Sequence, residues 1–341
     1  MTLIKNSRVL ASQIPEGVAP NKTHFRTVVL NEPTPQLKEN EIFVKNLIFN
    51  LDPYIRRDFP DGKTESTVVG FGISKVLDSN NVQFPIGAIV LGPATWEEYT
   101  HLADPNLLKE VILLDKVIDS RLPLSTYNGI LGGSGYTVWE SLKSTGNLKK
   151  GETIYISSAA GTLGQIAGQL AKRQGLRVIG SAGTDEKVAF LKNELGFDAA
   201  FNYKTQDPRT ALTEAAGPAG LDIYYDLVGD NTLEIALDLL NPKGRILFVG
   251  ALSRHQNREP FAPKNLINIL FKQLRYEGYE VFDHYEHLGE FWNEITPLVV
   301  SGELKYKEVV LKQDVSTVAE TYLKLMNGEF AGKVNVQITD V

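Results

Sequence analysis

The chain has 341 residues, of which 43% are hydrophobic and 22% charged, and its formal net charge at pH 7 is −6. The length predicts two domains, and the share of hydrophobic residues is that of a globular rather than a disordered protein. The negative net charge argues against a broad nucleic-acid surface, which needs clustered Lys and Arg. No apolar run approaches the roughly 20 residues of a membrane-spanning helix, and the start of the chain lacks the apolar segment of a secretory signal, so we expect a soluble, cytoplasmic protein without a membrane partner.

Residues 1–128 are predicted to form an irregular β domain. Short apolar runs rich in β-branched residues, such as 42–48 and 88–91, alternate with turn residues such as Pro85 and Gly87. Short runs with frequent turns are typical of strands rather than helices. We therefore expect a barrel-like β domain.

Residues 129–304 show a different pattern, in which strand-like and helix-like segments alternate. The predicted strands, with a helix between each successive pair, are 153–157, 177–181, 199–203, 221–226 and 244–250. This alternation predicts an α/β fold, a Rossmann domain with a doubly wound parallel sheet. Strand-like runs at 307–311 and 332–338 indicate that residues 305–341 return to the first domain, which is then discontinuous.

A phosphate-binding turn is predicted directly after the strand 153–157. The segment Ala159-Ala160-Gly161-Thr162-Leu163-Gly164 reads Ala-x-Gly-x-x-Gly, with Ala159 in place of the usual first glycine. Gly161 would let the backbone approach a pyrophosphate, Gly164 would let helix and strand pack closely, and the helix N-terminus would supply amides to the anion. The alternative is a tight strand-to-helix turn that binds nothing.

The end of the second strand favours NADPH over NADH. NAD-specific sites carry an acid about 20 residues after the turn, whereas this strand end reads Ser181-Ala182-Gly183-Thr184. The nearest acid, Asp185, stands where a helix cap or first turn would place it, and Lys187 follows within that turn. A lysine there can pair with a 2′-phosphate. The alternative for Lys187 is a solvated helix residue.

Candidate metal ligands and nucleophiles are few. The chain has no cysteine, which excludes disulfides, thiolate nucleophiles and cysteine-bearing zinc sites. Of the five histidines only His284 and His287 have metal-like spacing, and we interpret them as a solvated pair rather than a zinc site. Ser134 stands one glycine short of a nucleophile elbow, so its segment is instead predicted to be a flexible entry into the second domain.

Hydride transfer needs no strong nucleophile from the protein, because the cofactor carries the chemistry while the protein orients it. Reduction of a carbon–carbon double bond conjugated to a carbonyl places negative charge on the carbonyl oxygen, and a hydroxyl donor suits that oxygen. Tyr54 and Tyr285 are the two candidate catalytic donors. For each, the alternative is a boundary tyrosine with an apolar ring and a wet hydroxyl.

Together these motifs resemble the zinc-independent medium-chain dehydrogenase/reductases, and within them the leukotriene B4 12-hydroxydehydrogenase, prostaglandin reductase and 2-alkenal reductase family. The resemblance spans nearly the whole chain, and its most specific segments are Asp52-Pro53-Tyr54-Ile55-Arg56, Ala159–Gly164, Gly183-Thr184-Asp185-Glu186-Lys187-Val188 and Phe201-Asn202-Tyr203-Lys204-Thr205. It implies a GroES-like β-barrel domain for substrate and catalysis (1–128 and 305–341), a Rossmann NADPH-binding domain (129–304), NADPH as cofactor, and a homodimer.

The resemblance also implies roles for individual residues. It implies contact of Lys187 and Tyr203 with the 2′-phosphate, and it places Tyr54 and Tyr285 in segments similar to those that line the substrate pocket. The cofactor-binding residues expected from the turn, the strand end and a loop beside the nicotinamide are Gly161, Thr162, Leu163, Gly164, Gly183, Lys187, Tyr203, Gly250, Ala251, Leu252 and Ser253.

Two positions depart from the family pattern. Leu227 stands where relatives commonly have Asn, in Asp226-Leu227-Val228-Gly229, and Phe330 stands where they have Asn, shortly before Gly332-Lys333. Each change removes an amide near the expected cofactor, which can alter cofactor affinity or nicotinamide geometry, and Phe330 can narrow the pocket.

The function predicted from the sequence is NADPH-dependent reduction of the α,β double bond of alkenals or enones. The hydride would reach the β carbon, and the partner would be a small-molecule electrophile, namely an enal, an enone or a quinone. Two alternatives remain: a quinone oxidoreductase or carbonyl reductase on the same fold, and an NADPH-binding sensor or structural protein without turnover.

Overall fold

A computed structural model of the chain describes residues 3–12, 14, 18–58, 65–256, 261–281 and 284–339. The chain divides into two compact units, Met1–Gly129 with Glu308–Val341 (unit 1) and Ile130–Lys307 (unit 2). The strands in the described ranges are β1 Leu3–Ala11, β2 Phe25–Pro33, β3 Ile42–Leu51, β4 Ser66–Thr67, β5 Val69–Ser79, β6 Ile89–Thr95, β7 Tyr99–Leu102, β8 Ile112–Leu113, β9 Thr153–Ile156, β10 Arg177–Ala182, β11 Ala199–Asn202, β12 Leu221–Asp226, β13 Leu240–Phe248, β14 Arg275–Gly278, β15 Glu308–Lys312 and β16 Lys333–Gln337.

Helices connect and cover these strands. The α-helices are α1 Pro105–Leu108, α2 Gly133–Ser141, α3 Thr162–Arg173, α4 Asp185–Asn193, α5 Pro208–Ala216, α6 Thr232–Leu239, α7 Leu252–His255, α8 Ile267–Phe271, α9 Leu288–Val300 and α10 Val318–Met326. Short 3-10 turns, which matter for the site, lie at Pro53–Asp58 and Tyr285–His287. None of the helices in the described ranges combines the length and the apolar character that a bilayer span requires.

The described strands of unit 1 form two sheets. The smaller sheet has the order β2-β1-β4, and the larger has the order β15-β16-β3-β5-β6-β8 with β7 also beside β3. Neighbouring strands pair antiparallel except for β15 and β16, which run parallel. The C-terminal strand β16 pairs with β3, with Val334 opposite Leu51 and Gln337 opposite Ile48. The C-terminal segment thus belongs to the sheet that carries the Asp52-Pro53-Tyr54 segment at the end of β3.

Unit 2 contains one parallel sheet with the order β11-β10-β9-β12-β13-β14. The chain runs outward from β9 to β11, returns to β12 on the other side of β9, and continues to β14. This reversal makes the carboxyl ends of β9 and β12 the topological switch point, where ligands bind in open α/β sheets. The predicted fold class is therefore confirmed: a doubly wound parallel sheet and a separate, mainly antiparallel β unit.

The sixth strand of this sheet was not predicted. All four residues of β14 are exposed, so no alternation of apolar and polar residues distinguishes them from a loop. Strand β13 begins at Leu240, four residues before the predicted start at residue 244. The prediction began the strand too late because Asn241, Pro242 and Gly244 have the composition of a turn.

Candidate functional site

The turn between β9 and α3 lies at the switch point of the unit 2 sheet. Ser158 takes the left-handed position of the turn, with φ of 50°. Gly161 is the N-cap residue of α3 and makes no side-chain capping bond. The first amides of an α-helix have no partner within the helix, so the amides of Thr162, Leu163 and Gly164 face the carboxyl edge of the sheet together with the positive end of the helix dipole.

Two glycines let α3 approach the sheet closely. A Cβ atom on Gly164 would lie 2.5 Å from the Ala159 Cα atom, and one on Gly180 would lie 2.8 Å from the Ala159 Cβ atom. Distances this short leave no room for a side chain at either glycine. The methyl group of Ala159 therefore occupies the space that Gly180 leaves open on β10, and this explains why the turn tolerates alanine in place of its usual first glycine.

A buried carboxyl group lies beneath the turn. Asp226, at the end of β12, is 0% exposed, and its Oδ1 atom accepts hydrogen bonds from Ser157 Oγ at 3.2 Å and from the amides of Val228 and Gly229 at 2.9 and 3.0 Å. Burial raises the pKa of Asp226, and the amide hydrogen bonds only partly oppose this shift. The carboxyl group thus joins the phosphate turn to the loop that follows β12.

The segment predicted to lie beside the nicotinamide, residues 250–253, packs on that loop. The Ser253 amide donates to the Val228 carbonyl at 2.9 Å, and Ser253 Oγ donates to the Gly229 carbonyl at 2.8 Å. A Cβ atom on Gly250 would lie 2.9 Å from the Leu227 carbonyl oxygen. Leu227 is itself buried, so the residue that departs from the family pattern supplies backbone contacts to this segment.

A cationic cluster lies at the carboxyl ends of β10 and β11. A Cβ atom on Gly183 would lie 2.9 Å from the Tyr203 hydroxyl oxygen and 3.2 Å from Lys204 Cε. Burial and, to a smaller extent, the positive charge of Lys204 lower the pKa of Lys187. The structure thus brings together Gly183, Lys187 and Tyr203, which were predicted from the sequence, and adds Lys204. The sequence signal for Lys204 is its place next to Tyr203, in a segment that resembles the family closely.

The acid nearest to this strand end points elsewhere. Asp185 Oδ1 accepts a hydrogen bond from the buried Asn202 Nδ2 at 2.7 Å, and Asn202 Oδ1 accepts one from the Lys204 amide at 3.0 Å. Asp185 belongs to the first turn of α4, whose N-cap residue Thr184 accepts from the Lys187 amide at 3.3 Å. Asn202 therefore binds one oxygen of the Asp185 carboxylate and also holds the backbone amide of Lys204.

Tyr285 lies against the first turn of α2. Its hydroxyl oxygen is 3.9 Å from the position that a Cβ atom on Gly133 would take. Its ring stacks on the ring of Tyr136, with centroids 5.6 Å apart and an interplanar angle of 19°. A Cβ atom on Gly135 would lie 1.8 Å from the Ile130 carbonyl oxygen. The segment around Ser134 is therefore the first turn of a buried helix, and the prediction of a flexible entry was wrong, because its glycines serve close packing.

Tyr54 belongs to unit 1, in the 3-10 turn that follows β3. Its ring packs on the unit 1 core around Trp96, as does the ring of Phe330, the second departure from the family pattern. Just before Tyr54, the Asp52 carboxylate pairs at 2.5 Å with Lys333 Nζ, whose side chain is 1% exposed. This buried ion pair fixes the start of the turn that carries Tyr54.

Comparisons with known proteins place the chain in a family. A family model described as the N-terminal domain of oxidoreductase matches residues 8–110, and one described as zinc-binding dehydrogenase matches residues 162–296. The (+)-pulegone reductase of Mentha piperita is 35% identical over 95% of this chain and 94% of its own length, and the NADP(+)-dependent 2-alkenal reductase of Nicotiana tabacum is 35% identical over 88% of each. This chain is a zinc-independent medium-chain dehydrogenase/reductase.

A solved structure extends this relationship. CurA from Vibrio vulnificus, in complex with NADPH, matches this medium-chain dehydrogenase/reductase with a TM-score of 0.85 at 27% identity, over 98% of this chain and 100% of the CurA chain.

His284 and His287, the two histidines with metal-like spacing, each contact another side chain of this medium-chain dehydrogenase/reductase. His287 Nδ1 lies 3.3 Å from Glu290 Oε1, and the His284 ring stacks on Tyr279 with centroids 4.9 Å apart. Among the residues that the structure describes, no group of three or more His, Asp or Glu side chains is placed to hold a metal ion.

We predict that Asp226→Asn raises the free energy of unfolding more at about pH 7.5 than at about pH 4.5. Burial raises the folded-state pKa of Asp226 above its ordinary value of 3.8, so the unfolded chain loses this proton first as the pH rises. The wild-type folded state then loses up to about 1.4 kcal/mol of stability per pH unit until the pH passes the folded-state pKa. Asparagine keeps the Oδ1 acceptor and does not ionise. Urea unfolding at both pH values measures the difference.

Asp207→Asn is the matched control, because the Thr210 amide that Asp207 caps holds the pKa of this carboxyl below its usual value. Asp207 is ionised in both the folded and the unfolded state from pH 4.5 to 7.5, so the effect of Asp207→Asn should stay nearly the same at the two pH values. Equal effects of Asp226→Asn at both pH values would contradict the account of this buried carboxyl.

Proposed function

We propose that this medium-chain reductase uses NADPH to reduce the α,β carbon–carbon double bond of enals and enones. The names of its relatives, (+)-pulegone reductase and NADP(+)-dependent 2-alkenal reductase, support this chemistry. The single observation that carries the proposal is at the carboxyl edge of unit 2, where the uncapped N-terminus of α3 and the cationic cluster beside Gly183 follow adjacent strands. Unit 2 is then the cofactor domain and unit 1 the substrate domain.

The residues at this edge fit NADPH. The amides of Thr162, Leu163 and Gly164 suit the pyrophosphate, and the absence of a side chain at Gly183 leaves a recess in front of the Tyr203 hydroxyl. Lys187 and Lys204 are close enough for the charge of Lys204 to lower the pKa of Lys187, and a 2′-phosphate beside them would accept charge-assisted hydrogen bonds from both. Residues 250–253 would lie beside the nicotinamide.

The selectivity against NADH would come from the hydrogen bond that holds Asp185 on Asn202 and away from a ribose 2′-hydroxyl. A carboxylate that accepts from the ribose 2′-hydroxyl is the usual mark of an NAD site. Here the candidate carboxylate, Asp185, already accepts from Asn202. With Asp185 occupied and two lysines present, the pocket favours the dianionic phosphate over the neutral hydroxyl.

The protein's part in the reduction is to bind, orient and stabilise charge. NADPH, when bound, supplies the hydride that reaches the β carbon of the substrate. Negative charge then builds on the carbonyl oxygen, where a phenol donor from Tyr54 or Tyr285 would stabilise it, and a proton completes the product at the α carbon. We propose these two tyrosines as the donors.

Purified protein should oxidise NADPH in the presence of an enal and yield the saturated aldehyde. Mass spectrometry and NMR identify the product, and a saturated aldehyde of the same chain length, which should not be consumed, serves as the control substrate. An allylic alcohol as product would sink the proposal in favour of a carbonyl reductase, and consumption with quinones alone would favour a quinone oxidoreductase. Tight NADPH binding without turnover on any of these would indicate a non-catalytic protein.

Lys187→Ala and Lys204→Ala should each weaken NADPH binding about tenfold or more and leave NADH binding nearly unchanged. A hydrogen bond to a charged group contributes roughly 1.5–3 kcal/mol, which corresponds to this change in affinity. Fluorescence titration with both cofactors measures the effect, and Lys192→Ala, in the last turn of α4, is the control. Equal losses for the two cofactors would contradict a 2′-phosphate role for either lysine.

We further propose that two copies of the chain associate through the β14 edge of unit 2. Among the described strands, β14 lies at the edge of the sheet and pairs with β13 alone, and the adjacent helix α8 exposes 68% of Leu270 and 74% of Phe271. Exposed apolar patches of this kind commonly mark interfaces, and an open edge can pair with its own copy across a two-fold axis. The cytoplasmic location expected from the sequence stays a prediction.

Sedimentation equilibrium should therefore give a dimer for the wild-type chain and a monomer for the double variant Leu270→Glu, Phe271→Glu. Charged side chains on this patch would lose their hydration in the interface. The control is Val82→Glu, which changes a side chain that is 98% exposed in unit 1. A wild-type monomer, or a double variant that stays dimeric, counts against this interface.

A further inference from the structure

The buried hydroxyl of Tyr136 forms hydrogen bonds with the backbone before and after Tyr285. The Tyr136 hydroxyl donates a hydrogen bond to the His284 carbonyl oxygen and accepts one from the His287 amide at 3.2 Å. His284 immediately precedes the short turn Tyr285–His287, and His287 is its last residue. One side chain, 0% exposed, thus ties down the backbone on either side of a proposed catalytic donor.

The same residue also supports the ring of Tyr285. The stacked contact between the two rings is backed by Phe291, whose ring meets Tyr136 edge-on at 5.5 Å and 82°. Trp139, one turn further along α2, lies 5.9 Å from Tyr136. Offset and edge-on arrangements are the favoured geometries of aromatic pairs, so the Tyr136 ring has one well-supported position. Because the Tyr285 ring stacks on the Tyr136 ring, its position is fixed in turn.

Helix α2 is held close enough for these contacts by its glycines. A Cβ atom on Gly135 would lie 1.8 Å from the Ile130 carbonyl oxygen and 3.1 Å from Phe291 Cζ. Any larger residue there would push α2 away from α9 and from the 284–287 segment. The closeness of the Tyr285 hydroxyl to Gly133 depends on the same approach.

The donor role of Tyr136 requires a protonated phenol. Burial, with smaller effects from the nearby carboxylates of Glu140, Glu286 and Glu290, raises the pKa of Tyr136 to about 12, against the opposing effect of the His287 amide. The phenol therefore stays protonated at every pH at which a reductase would be assayed, and the two hydrogen bonds do not switch with pH.

We infer that Tyr136 is a positioning residue for the reaction: its hydroxyl and ring fix the Tyr285 phenol in the place from which it donates to the substrate carbonyl oxygen. This inference rests on the proposed function, and specifically on Tyr285 as a donor. Tyr136 itself touches neither substrate nor cofactor in this account. Its effect on the rate passes entirely through Tyr285.

Tyr136→Phe keeps the stacked ring and removes both hydrogen bonds, so it tests the inference directly. We expect kcat for enal reduction to fall about tenfold, since small displacements of a catalytic group can cost up to roughly 100-fold, while NADPH affinity stays the same. In the Tyr285→Phe background the same change should have no further effect, because the donor that Tyr136 positions is already gone. The kcat pH profile should keep its wild-type shape.

Tyr127→Phe is the matched control, because it also removes a buried phenol that accepts from a backbone amide, that of Asp119 at 2.7 Å, and donates to a backbone carbonyl, that of Val117 at 2.9 Å, but in unit 1. It should leave kcat near the wild-type value. If Tyr285→Phe lowers kcat but Tyr136→Phe behaves like this control, the inference is overturned. It is also overturned if the effects of the Tyr136 and Tyr285 changes multiply, since Tyr136 would then act by another route.

Hydrogen exchange decides the positioning role without any turnover. Tyr136→Phe should speed exchange of the amides in residues 284–287, above all the His287 amide that donates to Tyr136, and leave the phosphate turn as protected as in wild type. Unchanged exchange in 284–287 would overturn the inference whatever the kinetics. If instead Tyr285→Phe has no effect on kcat, the donor role in the proposed function fails. The exchange result then still reports whether the Tyr136 hydrogen bonds hold the 284–287 segment.

Discussion

The contact on which the rest of unit 2 depends is the close packing of Ala159, in the turn between β9 and α3, against Gly164 of α3 and Gly180 of β10. It exists because Gly164 and Gly180 offer no side chains to Ala159, within distances that any Cβ atom would violate. This approach sets the N-terminus of α3 at the switch point of the sheet, where its amides point along the carboxyl edge. A helix displaced outward by one methyl group would carry those amides away from the edge, and the loops after β10 and β12 would surround an empty turn.

Buried polar groups then connect this turn to the loops around it. Asp226 gathers Ser157 and two backbone amides on a single oxygen, and its burial keeps the pKa of its carboxyl raised. At the ends of β10 and β11, Asn202 connects the first turn of α4 to the backbone of Lys204, because it donates to Asp185 and accepts from the Lys204 amide. Asp226, Asp185 and Asn202, which could be mistaken for ligand contacts, thus hold the backbone of the edge in place.

Much of this architecture was predictable from the sequence, because five strands of unit 2 are buried and their apolar runs alternate with helices of ordinary length. The features that escaped prediction lack such a local signal. The β14 strand is exposed at every residue, so its place at the sheet edge follows from pairing with β13 alone. The glycines before Tyr136 indicated flexibility, whereas the structure uses them for contact with Ile130 and Phe291. The hydrogen bond between the Tyr136 hydroxyl and the His284 carbonyl joins residues 148 positions apart, a pairing that no local pattern can indicate. Lys204 belonged to a segment specific to the family, but its place beside Gly183 follows from the fold alone.

The central claim is that the carboxyl edge of unit 2 holds NADPH so that its hydride reaches the β carbon of a conjugated carbonyl compound. The measurement that tests it most directly uses NADPH deuterated at both C4 positions, with an enone as substrate and NMR of the product. The account predicts one deuterium on the former β carbon and an intact carbonyl group. Deuterium on the former carbonyl carbon, or a product without label, would contradict it.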